Sequence, residues 1–392
     1  MLIIKNATIL TMANAGCIQN GFIVIDKSKI LHIGKNDKSE LAQYESKACK
    51  VIDATSHFVL PGFVDAHTHL GIANSAMRWE GSDYNEVGDP VTPQMHTIDG
   101  INSFDDSFFD TLSGGITTAA VSPGSANIIG GTICVIKTGG SKCVDKLVVK
   151  QNLAMKCAFG ENPKNVYGQM QKKSPYTRMA NAAILREALF KAKEYLDKKE
   201  KSKDGNNFDS NFKYNALIPL LKKEMSMHIH CHRADDIYTA LRISKEFDLD
   251  TVLVHASEAH FLAQDIKDSG YPVIVGPTMT FKTKQELKNK SFNTIKSLLD
   301  IGVKACITTD HPVIPLQQLN ICAALAVAAG LDAQEALKSI TIYAAQILGL
   351  QDRLGSLEVG KDADIAIWDR HPFVATAKTL TTIVNGQVVY SI

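Results

Sequence analysis

The chain is 392 residues long and carries 42 lysines and arginines against 41 aspartates and glutamates, a formal net charge of +1. That balance excludes nucleic acid or an anionic membrane as the main partner and leaves a small-molecule substrate as the expectation. The length exceeds one small domain and suits a barrel of about 250 residues with a smaller companion.

The first stretch, "MLIIKNATILTM", alternates like a strand and lacks a basic region followed by a long apolar core, so it does not read as a signal peptide. No apolar run reaches the roughly eighteen residues of a membrane span. Eight cysteines (Cys17, Cys49, Cys134, Cys143, Cys157, Cys231, Cys306, Cys322) are scattered without a CxxC pair. That usage fits a cytoplasmic protein with most thiols buried as small apolar groups. Further along residues 1–58, "GFIVIDKSKILHIG" and "KVIDATSHFVLPG" alternate apolar and polar positions between turns, the pattern of half-buried strands.

From residue 59 a strand-then-helix rhythm begins. The candidate strands are "GFVDAHTH", "GITTAAV", "TICVIKTG", "LAMKCAFGEN", "SMHIHCH", "DTVLVHAS", "YPVIVGPT" and "VKACITTDHP". The last four are followed by "ADDIYTALRISKEF", "EAHFLAQDIKDSG", "FNTIKSLLDIG" and "LQQLNICAALAVAAG", which read as helices. Eight units of this kind predict an α/β fold, a parallel (β/α)8 TIM barrel over 59–354, rather than an open doubly wound sheet. No GxGxxG or Walker sequence is present. Gly130 and Gly131 precede a strand instead of opening a helix and read as tight loops near a site. The charged residues 190–213, with their Gly-Asn-Asn, read as an exposed helix and loop. Asp332 is placed to N-cap a helix leading back to strand-like sequence, which closes with an Asn385-Gly386 hairpin signal. Residues 1–58 and 355–392 therefore read as one β domain completed when the chain returns.

The chemistry begins in "LPGFVDAHTHLG", residues 60–71. Side chains two apart on a strand project to the same face, so His67 and His69 can converge on one cation, and Asp65 falls on that face too. Other strands end in the same way: one in Glu161, one in His228, His230 and His232, one near His255, and one at Asp310. Barrel enzymes place their chemistry at strand C-termini. Imidazoles and carboxylates without a thiolate favour a divalent metal, most of all zinc, with manganese or iron as alternatives. Cys231 points away from His230 and His232 and is expected to pack.

"PGFVDAHTHLG", "HCHRADD", "HASEAH", "TTDHP" and "GSLEVGKDADIAIWD" together resemble the amidohydrolase superfamily over nearly the whole chain, closest in texture to its imidazolonepropionase and metal-dependent dipeptidase branch. The resemblance implies a barrel with a small β-sandwich made from both chain ends. It implies that His67 and His69 hold a metal from the first strand, His230 and His255 from the fifth and sixth, and Asp310 from the eighth, with His232 as a substrate-facing alternative to His230. Two-metal members bridge their ions with a carboxylated lysine on the fourth strand. Here that strand reads as ending in Glu161, similar to N-acetylglucosamine-6-phosphate deacetylases, with Lys156 inside the strand and Lys164 in the loop beyond. One ion or two are both open.

The expected reaction is hydrolysis of an amide or cyclic amide carbon-nitrogen bond, with metal-activated hydroxide as nucleophile and Asp310 as proton shuttle. His232 or His255 would stabilise the developing oxyanion. Arg178 and Arg233 follow barrel strands and are candidates to clamp a substrate carboxylate. A mononuclear deaminase of a heterocycle and a non-catalytic scaffold are the competing readings. A homo-oligomer is compatible with such a barrel, although no interface signal stands in the sequence.

Overall fold

The computed structural model describes residues 1–76, 78–202 and 209–392. Two eight-stranded sheets organise the chain. It begins with β1 (Leu2–Leu10), β2 (Cys17–Asp26), β3 (Lys29–Lys35), β4 (Lys50–Asp53) and β5 (Phe58–Pro61). A barrel follows: β6 (Phe63–Thr68), β7 (Ile116–Val121), β8 (Ile129–Lys137), β9 (Val148–Ala158), β10 (Ser226–Cys231), β11 (Thr251–His255), β12 (Val273–Val275) and β13 (Ala305–Ile307). The chain then returns to the first sheet as β14 (Ile365–Trp368), β15 (Thr379–Val384) and β16 (Gln387–Ser391).

In the terminal sheet the order is β16-β15-β14-β5-β1-β2-β3. Register irregularities along β1 between Ile4 and Ile9 let one edge serve two partners: Leu2–Lys5 pairs in parallel with β4, and Thr8 and Ile9 with β5. β14 lies antiparallel between β5 and β15, so the two chain ends are joined by main-chain hydrogen bonds. Asn385 and Gly386 make the turn into β16 with φ of 48° and 74°, the double positive φ that a two-residue hairpin needs. Ile4, Ile9, Ile23, Ile25, Val59, Ile365 and Ile383 fill one face of this sheet.

Strand parity divides the barrel's apolar residues. Val64, Ala66, Ala120, Ile133, Val135, Ala154, Val252, Val254, Ile274 and Cys306 pack inside, joined by Ala344 and Ala345 of the helix Ile342–Ile347. Met155, Cys157, Met227, Ile229, Cys231, Leu253 and Val273 pack outward against the helices, each fully buried aliphatic contributing about 1.5–3 kcal/mol. Among those helices are Ala234–Glu246, which buries Ile237, Ala240 and Ile243, and Ala333–Ser339, whose N-cap Asp332 accepts from the backbone of Gln334 and Glu335. The charged segment is helical from Arg178 to Lys201, while its Gly-Asn-Asn lies outside the described residues. No described helix is long and apolar enough to cross a membrane. All eight cysteines are free, five buried and three exposed.

The strand rhythm predicts eight parallel strands, and one differs. β8 runs antiparallel to both β7 and β9. The connections 122–128 and 138–147 are too short to carry the helical crossover of about a dozen residues that a parallel return requires, so the chain doubles back. At the seam between β13 and β6, side chains stitch the wall. Asp65 accepts from the backbone N–H of Thr309 at 2.9 Å, from Thr309 Oγ1 at 2.7 Å and from the backbone N–H of His67 at 3.1 Å, with Thr308 Oγ1 2.6 Å away. Asp65 thus serves the barrel seam and does not join the face of His67 and His69.

Candidate metal centre

The C-terminal ends of the barrel strands gather the histidines and one aspartate. His67 and His69 leave β6 with their Nε2 atoms 3.4 and 3.3 Å from Asp310 Oδ1, which follows β13. The ligand atoms of these three residues all lie within 4.8 Å of one another, as do those of a neighbouring group, His230, His232 and Glu286. His255 connects the two, its ring centroid 5.2 Å from that of His67, 4.4 Å from His230 and 4.9 Å from His232. His255 and Asp310 sit at φ of 70° and 54°, left-handed conformations that cost a non-glycine residue about 1–3 kcal/mol and mark sites where geometry is imposed from outside.

Hydrogen bonds fix the chemical state of two rings. His69 Nδ1 is 2.7 Å from the Ser122 carbonyl oxygen and His255 Nδ1 is 2.7 Å from that of Gly276. A carbonyl only accepts, so both rings carry a proton on Nδ1, which in the neutral imidazole leaves Nε2 as a lone pair, the arrangement that outer-shell partners impose on metal-binding histidines. His232 differs: its Nδ1 is 2.8 Å from Ser257 Oγ, which can donate or accept, so its Nε2 can carry a proton. Both ring nitrogens of His230, Nδ1 of His67 and Oδ1 of Asp310 are buried without a hydrogen-bond partner among the described residues. Such groups are costly unless something coordinates them.

Burial, reinforced by the Lys156 ammonium, holds His67 well below the ordinary imidazole value. Burial and the neighbouring imidazoles do the same for His230 and His232, and burial brings His255 down to about 4. For Asp310 burial alone would raise the carboxyl, but His255, His67 and His69 outweigh it and hold the group well below the carboxylate range. Neutral imidazoles beside an ionised carboxylate are the states a metal site requires at neutral pH. The residues present therefore fit a divalent cation.

Several sequence expectations change here. Glu161 belongs to neither candidate ligand group and does not line the cavity; Gly160 turns the chain at the end of β9, and Glu161 begins a short helix beyond it. The fourth-strand side chain that reaches the centre is Lys156, fully buried, its Nζ 3.2 Å from His67 Nε2, and burial pushes it down to about 8. Its inward parity, shared with Ala154, was the signal available in the sequence. Arg178 does not line the cavity but stands behind it: Nε binds both Asp236 oxygens at 3.1 and 3.0 Å and Nη2 reaches Glu286 Oε1 at 3.3 Å. Arg233 forms a two-point pair with its near neighbour Asp235, both bonds 2.9 Å, at the surface. Both arginines stand at helix starts, where the first-turn carboxylates of the helix Ala234–Glu246 capture them. His228 lies one step back along β10, paired in register with Lys156, with both ring nitrogens unpartnered.

A cavity of about 550 Å³ opens onto His69, Lys156, His230, His232, His255 and Asp310. Its walls bring in residues from loops: Tyr84, stacked on His69 at 5.4 Å, along with Ser125, Asn162, Phe281 and Lys284. That volume suits a small molecule.

The amidohydrolase family profile matches residues 58–389. The chain belongs to the amidohydrolase family. It is 38% identical to an amidohydrolase of known crystal structure from Thermotoga maritima, with a TM-score of 0.95 and full coverage of both chains. Among curated relatives, the amidohydrolase tasK of Hapsidospora irregularis is 29% identical over 87% of this chain, which spans only 37% of that longer protein. The imidazolonepropionase of Fusobacterium nucleatum is 24% identical over 89% of this chain and 85% of its own length. A prolidase structure, 16% identical with a TM-score of 0.60, shares the fold. The chain is thus a metal-dependent hydrolase of the imidazolonepropionase-like branch, an enzyme acting on carbon-nitrogen bonds.

Proposed function

We propose that the bond cleaved is an amide or cyclic amide of a small molecule, and that His67, His69, His230, His255 and Asp310 would hold one or two divalent ions, zinc foremost, with Lys156 beside His67. The observation that carries this reading is that the Ser122 and Gly276 carbonyls hold Nδ1–H of His69 and His255, while Nε2 of His69 lies 3.3 Å from Asp310 Oδ1. When bound, the cation supplies Lewis acidity, lowering the pKa of water from about 16 to about 7 and polarising a carbonyl.

The protein's own groups do the rest. Asp310, ionised and half-buried, accepts the proton of the attacking water and passes it to the leaving nitrogen. His255, with its proton held by Gly276, cannot donate from Nε2 and acts as a ligand. His232, if Ser257 donates to its Nδ1, carries its proton on Nε2 and hydrogen-bonds the developing oxyanion. The test is Asp310→Asn in protein loaded with zinc, manganese or iron. The variant keeps a carbonyl oxygen at the ligand position and should retain most of its metal by elemental analysis while kcat falls about 10²–10⁴-fold, because the amide cannot accept the water's proton. Full activity in the variant would remove Asp310 from proton transfer. Measuring ammonia against amine or carboxylate release separates amide hydrolysis from deamination.

A further inference from the structure

Among the described residues, the connection after β12 brings the cavity its one cationic side chain besides Lys156. Lys284 lines the wall together with Asn162, Asn165 and Ser125. Its Nζ donates to Asn162 Oδ1 at 3.1 Å, and Asn162 Nδ2 donates to Ser125 Oγ at 2.7 Å. Segments following three strands, β7, β9 and β12, thus contribute to one polar row.

The row is anchored from behind. Glu286, two residues beyond Lys284, is fully buried, and its Oε1 accepts the Glu161 backbone N–H at 2.5 Å and Arg178 Nη2 at 3.3 Å. Gly160, at φ of 85°, gives this carboxylate its space, because a Cβ there would collide with Oε1. Lys284 Nζ lies 3.1 Å from Glu286 Oε2 but out of line for a hydrogen bond, and that oxygen has no hydrogen-bond partner among the described residues. An ammonium has three donors, and among the described residues only the bond to Asn162 is made. Arg178 is already held by both oxygens of Asp236, so Glu286 serves Lys284 as its counter-charge, while two of the three ammonium donors make no hydrogen bond among the described residues. The side-chain amide of Asn165 makes no hydrogen bond among the described residues and lines the same wall.

We infer that Lys284, assisted by Asn165 and Ser125, is a specificity-determining subsite for a carboxylate carried by the substrate. One ammonium flanked by neutral donors matches the two oxygens of a carboxylate. The inference rests on the hydrolase reading and deepens it: the same cavity receives the scissile carbonyl at the metal-ligand cluster and the substrate's acidic end at Lys284. Glu286 and Arg178 act as positioning residues, which is how Arg178 influences the substrate without touching it.

The test compares N-acetyl amino acids and dipeptides bearing a free carboxylate with their C-terminal amides, on metal-loaded enzyme. The acids should exceed the amides in kcat/KM by about 10- to 100-fold. Lys284→Met should reduce that ratio to within about threefold, mainly through KM, with metal content checked alongside, and Lys284→Arg should restore part of it. Wild-type enzyme that treats acids and amides alike, or a Lys284→Met variant that keeps the preference, overturns the inference. Should no panel member turn over, calorimetric titration with N-acetylleucine and its amide decides separately. Acid-selective binding that is lost in Lys284→Met upholds the subsite while the hydrolysis reading falls; equal binding, or none, overturns the subsite.

Discussion

His69 and His255 owe their role to what holds their far nitrogens. A carbonyl behind each ring, from Ser122 and Gly276, commits Nδ1–H and aims a lone pair forward. Alanine at either position should weaken metal binding by more than the roughly 10–100-fold typical of an outer-shell change. Ser257→Ala should leave metal content intact and lower kcat about tenfold, because only the tautomer of His232 is disturbed. Glu161→Gln should keep metal and kcat within about twofold, read by elemental analysis and steady-state kinetics. A metal-depleted Glu161→Gln would return that residue to the centre. The histidines and Asp310 were legible because period-two spacing and strand ends suffice to group them. Lys156 was less so: a lysine inside "LAMKCAF" looks misplaced in an apolar strand, and only the enclosing barrel shows where its amine goes.

Between elements, the tail sequence "GKDAD" has a structural task. Lys137, on the antiparallel strand β8, pairs with Asp362 at 3.1 Å and with Asp364, all three side chains no more than 6% exposed. This clamp ties the barrel to the terminal sheet. Lys137→Met leaves two buried carboxylates without their shared cation and should cost about 3–5 kcal/mol, read by denaturant unfolding. Burial alone would raise Asp362, but Lys137, Lys29 and Arg353 outweigh it and hold its carboxyl below the usual 3.8. A depressed carboxylate contributes stability above its unfolded value and loses it as pH falls through the folded one. The gap between wild type and variant should therefore be widest near neutrality and close in acid as the carboxyls protonate; a gap that widens in acid would contradict the clamp. The reversal of β8 was not legible, because the connections are seen to be short only once β8 begins at Ile129 and β9 at Val148, earlier than the apolar pattern places them.

At the scale of the molecule, the barrel and the return of the chain to its first sheet were legible because alternation and strand-helix rhythm are local signals summed over many residues. The cavity walls were not. Lys284, Glu286 and Ser125 lie in connections whose paths are set by tertiary contacts, such as the Glu286 bond to the backbone of Glu161, that leave no periodic trace. A cation bound at the strand ends joins β6, β10, β11 and β13, so its removal should loosen the whole. Chelation should lower the unfolding temperature, and zinc at about 100 times its Kd should restore about 2.7 kcal/mol. The most direct measurement is anomalous X-ray scattering at the zinc edge from crystals of the zinc-loaded protein. The expected result is a peak about 2.0–2.2 Å from Nε2 of His69 and from the Asp310 carboxylate. A zinc-loaded crystal whose only peaks lie away from these two residues would contradict the account.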